Sequence, residues 1–328
     1  MTVQVTIIGL GQLGASFGLA LGEYKDQITR FGVDTDPVQA QKAQKMGAVE
    51  KVHPRYSDAV KDADVVILAV PLDEVEDTVK SIAPDLREGS VILDTSPLKV
   101  AVFELIKTLL PEDRYFVSFM PTLNPAYLHE TETGTDSAHV DLFKNGLVVT
   151  ACPPNTHADA VRLADDLAHL IGARPFYVDP YESDGLMAAV DLLPRLTSAA
   201  LLNALSNQPG WREAEKLTGR AFYSSTVTLL QEDSSKPDVL YIYNRENVVR
   251  VLDNLIASLT SIRDAIAEGN SESLAKLLKK MHSLRDEWWK QRQLGNWEKK
   301  VEQPEIPSAG ERFGRLFGIR PRKGKKND

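Results

Sequence analysis

The chain has 328 residues, 43% of them apolar and 26% charged, with a formal net charge of -8. This is globular composition, long enough for two cores and too acidic for a general nucleic-acid-binding surface. One cysteine, Cys152, excludes an internal disulfide and suits a reducing compartment.

The first element is also the most informative. Val3 to Ile8 is an apolar strand that runs into Gly9-Leu10-Gly11-Gln12-Leu13-Gly14, followed by a helical stretch from Ala15 to Leu21. In this context Gly9 permits a tight turn, Gly11 lets the backbone approach a pyrophosphate, and Gly14 allows helix to pack closely on strand. The helix start offers free N–H groups to phosphate oxygens. Ile28 to Val33 reads as a second strand ending at Asp34, where a carboxylate can accept hydrogen bonds from the hydroxyls of an adenine ribose. These features imply a nicotinamide- or flavin-type dinucleotide. Gly9, Gly11, Gln12, Leu13, Gly14 and Asp34 are the expected contacts. Thr35-Asp36-Pro37 supplies no arginine for a 2′-phosphate, which favours NAD over NADP.

Strand and helix then alternate. A helix is expected near Pro37 to Met46 and a short strand at Val49 to Val52. Ala63 to Pro71 is a continuous apolar run, the pattern of a strand buried on both faces, with Val70 and Pro71 at its cofactor end. Glu74 to Ile82, Val100 to Leu110 and Ala158 to Ile171 read as helices. Ser90 to Asp94, Tyr115 to Phe119, Asn145 to Ala151 and Arg174 to Val178 read as strands. The sum is an α/β doubly wound, Rossmann-type sheet over residues 1–179.

From Pro180 the pattern is helical only. Tyr181 to Leu205 is one long apolar-rich helix that Pro194 should kink, unless it starts a new one. Pro237 suits the first turn of a helix, and Gly269 suits a helix C-terminus. Val248, Leu252, Leu255, Leu259, Ile262 and Ile266 form one stripe, and Leu274, Leu277, Leu278, Met281, Leu284 and Trp288 a second. Two such stripes serve a helical core, a homodimer interface, or both. The expected organisation is an all-helical substrate and dimerisation domain over 180–296 and a basic tail over 297–328. That tail carries seven basic residues and no acid from Arg312 to Lys326 and reads as mobile and solvated. With no signal-type start and no apolar run of membrane-spanning length read from the residues, a cytoplasmic protein with no membrane or nucleic-acid partner is expected.

The order and spacing of Ala63 to Pro71, Asp94-Thr95-Ser96-Pro97-Leu98-Lys99, Met120-Pro121, Asp141-Leu142-Phe143, Ala188 to Leu196 and Asn244-Arg245-Glu246 resemble the prephenate/arogenate dehydrogenases of tyrosine biosynthesis. The resemblance implies NAD as cofactor and a small-molecule carboxylate as substrate. It also implies an oxidative decarboxylation: hydride passes from the hydroxyl-bearing ring carbon to the nicotinamide, carbon dioxide leaves, and the ring becomes aromatic. A histidine takes the hydroxyl proton and an arginine holds a carboxylate.

At those positions this chain departs from the pattern. Met120 stands where the family has a histidine before proline, and Asp191-Leu192 replaces a Ser-His pair. Pro97 replaces the turn serine, with Ser96 beside it and Lys99 kept; Val227 falls at the arginine position. The remaining catalytic candidates are Lys99, Asp191, Arg195 and Ser96. Lys99 is either a proton-moving or carboxylate-binding group, or a surface lysine that starts a helix. Arg195 either pairs with Asp191 one turn away or binds a substrate acid. None of the six histidines replaces the family base. His129 and His139 flank the polar loop Glu130 to Asp136, which is either a lid or solvated. No metal is expected, since no histidine pair has ligand spacing with nearby acids. Two functions stay open: a dehydrogenase with a rewired or weak site, and a nucleotide-binding sensor or partner subunit that has lost catalysis.

Overall fold

The computed structural model describes residues 2–153, 156–231 and 239–295. The expected tail and Pro237 lie outside the described residues. The chain forms two compact units, Met1–Lys280 and Met281–Asp328.

The first part of the chain alternates as expected: β1 (Val3–Ile8), α1 (Gln12–Leu21), β2 (Ile28–Val33), α2 (Pro37–Lys45), β3 (Lys51–Val52), α3 (Tyr56–Val60), β4 (Val65–Leu68), α4 (Leu72–Ile82), β5 (Val91–Asp94), α5 (Val100–Ile106), β6 (Tyr115–Pro121), β7 (Leu147–Ala151), α6 (Ala158–Leu170) and β8 (Arg174–Tyr177). The strands form one sheet in the order β3-β2-β1-β4-β5-β6-β7-β8. All neighbours are parallel except β6 and β7, where Ser118 faces Ala151 and Pro121 faces Val148. Alternation sends successive side chains to opposite faces. Val5, Ile7, Val65, Ile67, Val91 and Leu93 join the core on one side, and Ile8, Val66, Leu68 and Ile92 the core on the other. Both sides are dry, which is why Val65–Leu68 reads as an unbroken apolar run. The chain order reverses between β1 and β4, and the carboxyl ends of those two strands frame the crevice where open α/β sheets bind ligands.

The helical part comprises α7 (Pro180–Met187), a π-helical turn at Ala188–Leu192, α8 (Leu193–Ser206), α9 (Trp211–Ala214), α10 (Arg220–Thr226), α11 (Val239–Tyr243), α12 (Arg245–Ala267) and α13 (Ser271–Leu294). The long helix is continuous, and the disturbance expected at Pro194 takes the form of that wide turn. Pro194 has no N–H for the carbonyl one turn back, and widening the preceding turn absorbs the mismatch. Ala188 and Leu192 of the π turn pack with Val248 and Val251 of α12 in a small core. Beyond it the α12 stripe opens to solvent, with Leu259 55% and Ile266 60% exposed. Gly269 closes α12 at φ +66°, as its position suggests.

One expectation is corrected here. Pro180–Ser206 is long and apolar enough, by length and composition, to cross a membrane. It also carries Asp184, Asp191 and Arg195, which interrupt the apolar residues and hide its length in the sequence. In the second unit, Trp288 and Trp289 lie 5.8 Å apart with the Arg285 guanidinium 4.6 Å above the Trp288 ring, a packing arrangement within one helix.

Candidate active site

The glycine turn follows directly from the sheet. Gly9 sits at φ +87°, and a Cβ there would stand 2.3 Å from the Ala69 carbonyl at the end of β4. A Cβ at Gly14 would stand 1.8 Å from the Gly9 carbonyl, so α1 packs onto the turn only because Gly14 has none. A Cβ at Gly11 would meet nothing within 4 Å, so that side of the turn, toward the helix start, is open. Gly11 caps α1 without a side-chain hydrogen bond, so the first-turn N–H groups lack a side-chain acceptor at the cap. An open backbone approach and a helix start together fit a pyrophosphate.

Asp34 accepts the Leu10 N–H at 2.6 Å on Oδ2 and the Asp36 N–H at 2.7 Å on Oδ1. A carboxylate has about four lone-pair sites, so each oxygen keeps capacity for a ribose hydroxyl. Gln12 and Leu13 are placed differently from Gly11. The Gln12 amide donates to the Ser137 carbonyl at 3.0 Å, and Leu13 packs on the core, so both present backbone and not side chain to a ligand. Val70 packs against the second core, and Pro71 caps α4.

One strand along, β5 delivers a buried charged cluster. Asp94 ends the strand fully buried; its Oδ1 accepts the Ser96 hydroxyl at 2.7 Å, and its Oδ2 has no hydrogen-bond partner. Burial holds its carboxyl above the usual range, against the pull of Lys99 and Ser96. Lys99 does start a helix, but it is no surface lysine: it is completely buried, with Nζ donating to the Ser96 carbonyl at 2.6 Å. Desolvation lowers its ammonium to about 8, opposed by Asp94 and Asp184.

Asp184 comes from α7 in the helical part. Its carboxylate accepts the Lys99 N–H at 2.6 Å and the Val100 N–H at 3.2 Å, capping α5 from across the chain. Burial raises this carboxyl, while the two N–H bonds lower it. Asn244 in turn donates to the Asp184 carbonyl at 2.7 Å. Asp191 and Arg195 lie in and just after the π turn and pair with each other, at 3.2 Å through Nε and 3.0 Å through Nη2. The structure thus gathers the glycine turn with Asp34 at the carboxyl ends of β1 and β2, and Ser96 with Lys99 at the carboxyl end of β5, with β4 between them. Asp191 and Arg195 form a separate pair.

Asp184 was not a sequence candidate. The available signal was an acid set among Ser183, Gly185, Leu186 and Met187, where burial demands a partner. Cys152 is half-buried and its thiol is pushed up to about 11, which suits a packing residue and not a nucleophile. Among the described residues no group of three or more His, Cys, Asp or Glu is placed to hold a metal ion. A cavity of about 870 Å³ opens near Phe103, Tyr115 and Tyr181, at the amino end of β6, and none of the candidate residues lines it.

Residues 17–177 match the family model described as prephenate dehydrogenase, nucleotide-binding domain, and residues 179–280 match prephenate dehydrogenase, dimerization domain. The chain belongs to the prephenate dehydrogenase family. Within that family it is 27% identical over 290 residues to a cyclohexadienyl dehydrogenase of Zymomonas mobilis, covering 87% of this chain and 96% of the relative. It is 22% identical to a prephenate dehydrogenase of Bacillus subtilis, covering 87% of this chain and 76% of the relative. The prephenate dehydrogenase of Aquifex aeolicus, solved in complex with hydroxyphenyl propionate and NAD+, shares the fold with a TM-score of 0.76 at 21% identity, covering 88% of this chain and 98% of that one. The arogenate dehydrogenase of Synechocystis aligns with a TM-score of 0.69 at 20% identity, over 87% of this chain and 100% of that one. Membership makes the sheet a nucleotide-binding domain and the helical part a dimerization domain. The family match begins at residue 17, after the glycine turn, so the geometry of that turn is an independent observation.

Proposed function

We propose that this chain is an NAD-dependent dehydrogenase of a small ring carboxylate, a homodimer in which Lys99 and the Asp191–Arg195 pair serve where the family pattern has histidines and an arginine. The observation that carries the proposal is the burial of Lys99 beside Asp94 at the carboxyl end of β5, with its ammonium lowered to about 8. A buried amine near neutrality can give up its charge and accept a proton in a way that Met120, Leu192 and Val227 cannot.

The relatives named above support the dehydrogenase reading, and the Aquifex aeolicus complex supports NAD. The glycine turn and the α1 start would hold the pyrophosphate, and Asp34 the adenine ribose. When bound, the nicotinamide supplies the hydride acceptor. The Asp34 carboxylate is held at 2.6 and 2.7 Å by two backbone donors, and Asp36 lies two positions on, so a 2′-phosphate would meet acidic side chains there. Lys99 accepts the proton of the substrate hydroxyl, with Asp94 close enough to stabilise the ammonium that forms. Arg195, oriented by Asp191, binds a substrate carboxylate. Ser96 holds Asp94 through its hydroxyl and Lys99 through its carbonyl, and so fixes the cluster.

A family site normally uses a positioned base worth about 10²–10⁴-fold. Lys99 and Arg195 act from positions other than those of the family's base and arginine, and orientation alone can change a barrier by several kcal/mol, so oxidation of prephenate or arogenate is expected to be weak or undetectable, well below the usual enzyme median of about 10 s⁻¹. Titration with NAD and NADP, then steady-state assays with each acid, test this. Tighter binding of NADP, or kcat near the median, overturns the reading of these positions.

A further inference from the structure

The segment between β6 and β7 returns across the glycine turn. Gly134, at φ +86°, starts a tight bend that Ser137 closes by donating its hydroxyl to the Gly134 carbonyl at 2.8 Å. Thr135 is completely buried; its hydroxyl proton is shared between the Leu10 carbonyl at 2.6 Å and Gln39 Oε1, and its N–H donates to Gln39 Oε1 at 2.8 Å. The Ser137 carbonyl accepts the Gln12 amide at 3.0 Å, and the His139 N–H donates to Ser16 Oγ at 3.0 Å. Lys42 on α2 pairs with Asp136. Four residues of this segment, Thr135, Asp136, Ser137 and His139, are thus tied to the glycine turn, to α1 and to α2. Leu10, the residue between the two glycines, is held on both sides, its N–H by Asp34 and its carbonyl by Thr135.

We propose that Gly134–His139 is a strap forming part of the dinucleotide site, with Thr135 the positioning residue for the glycine turn. The proposal rests on the dinucleotide reading given above. A turn with three glycines in six positions has wide backbone freedom when unheld, and that freedom must be lost when phosphate binds. Fixing both sides of Leu10 beforehand removes part of that cost, which is how preorganisation raises affinity. Without the Thr135 hydroxyl the Leu10 carbonyl loses its donor in a dry site, and the turn relaxes to find another.

The test uses the full chain, with the dissociation constant for NAD from calorimetry and amide exchange without NAD over residues 9–14. Thr135→Val is expected to weaken NAD about tenfold, roughly one lost buried hydrogen bond, and to speed exchange in the turn. Thr135→Ser keeps the hydroxyl and should restore affinity to within about threefold of the parent, which a packing role for the methyl group would not do. If Thr135→Val does not fold, Asp136→Asn at the exposed ion pair is expected to weaken NAD by about two- to threefold at low salt, with the difference vanishing at high salt. NAD affinity in the valine variant within about twofold of the parent, or serine no better than valine, overturns the proposal. With the fallback variant, affinity equal to the parent at low salt overturns it. A parent chain that binds no dinucleotide overturns the cofactor reading and the strap together, and shows itself before any variant is made.

Discussion

Taking water from the Lys99 ammonium sets a pH dependence. The group's ordinary pKa of 10.5 falls to about 8 because no solvent reaches it, and Asp94 and Asp184 recover only part of the loss. Below that value Lys99 is charged and cannot accept a proton; above it the free amine can. Where activity is measurable, kcat/KM is expected to rise with pH and level off above about 8. Lys99→Met should lower kcat at least about tenfold and abolish this limb, an effect within the usual range for a general base. A profile identical in shape would place the proton acceptor elsewhere. Asp191→Asn should also cost about tenfold, chiefly in KM, because Arg195 loses the carboxylate that orients it. The glycines and Asp34 were legible in the sequence because their work is local to one turn. Lys99 was legible as a candidate, but its burial was not, since the Asp184 carboxylate that meets it is 85 positions away.

At the scale of elements, α5 depends on a cap from outside the sheet. Its first N–H groups belong to Lys99 and Val100, and both are satisfied by Asp184. Asp184→Ala is expected to cost about 0.5–2 kcal/mol, the range for a lost N-cap, and to lower the thermal midpoint by a few degrees. Scanning calorimetry on parent and variant measures it, and an unchanged midpoint would show that the cap contributes nothing. Strand order through β8 could be read from alternation and apolar runs, clearest where β4 and β5 are dry on both faces, whereas the five-residue α3 was too short to show a period. The π turn could not. Pro194 marks where the helix must adjust, but whether it bends, breaks or widens is decided by Ala188 and Leu192 packing on α12. The strap was equally hidden, since its Leu10 and Gln12 bonds span 125 positions and leave no local pattern.

For the whole molecule, the helical part leaves a great deal of apolar surface open. Val190 on the long helix is 69% exposed and Ile256 on α12 is 58% exposed. Exposed apolar residues recurring along these helices suit a contact with another molecule. The family's dimerization domain covers these helices, and a homodimer accounts for them better than a membrane does, given the paired Asp191 and Arg195 within the long helix. Sedimentation at micromolar concentration is expected to give a dimer, and Ile256→Glu together with Leu259→Glu to shift it to monomer. A monomeric parent chain would refute the assignment.

The double hold on Leu10 also constrains redesign of cofactor choice. The Asp34 carboxylate that would face a 2′-phosphate also accepts the Leu10 N–H of the turn proposed to hold the pyrophosphate. Replacing Asp34 with a smaller neutral residue would therefore admit NADP and loosen the floor beneath it in one stroke. Selectivity and grip share a single carboxylate here, so a change of nucleotide preference needs a second substitution that gives Leu10 N–H a new acceptor.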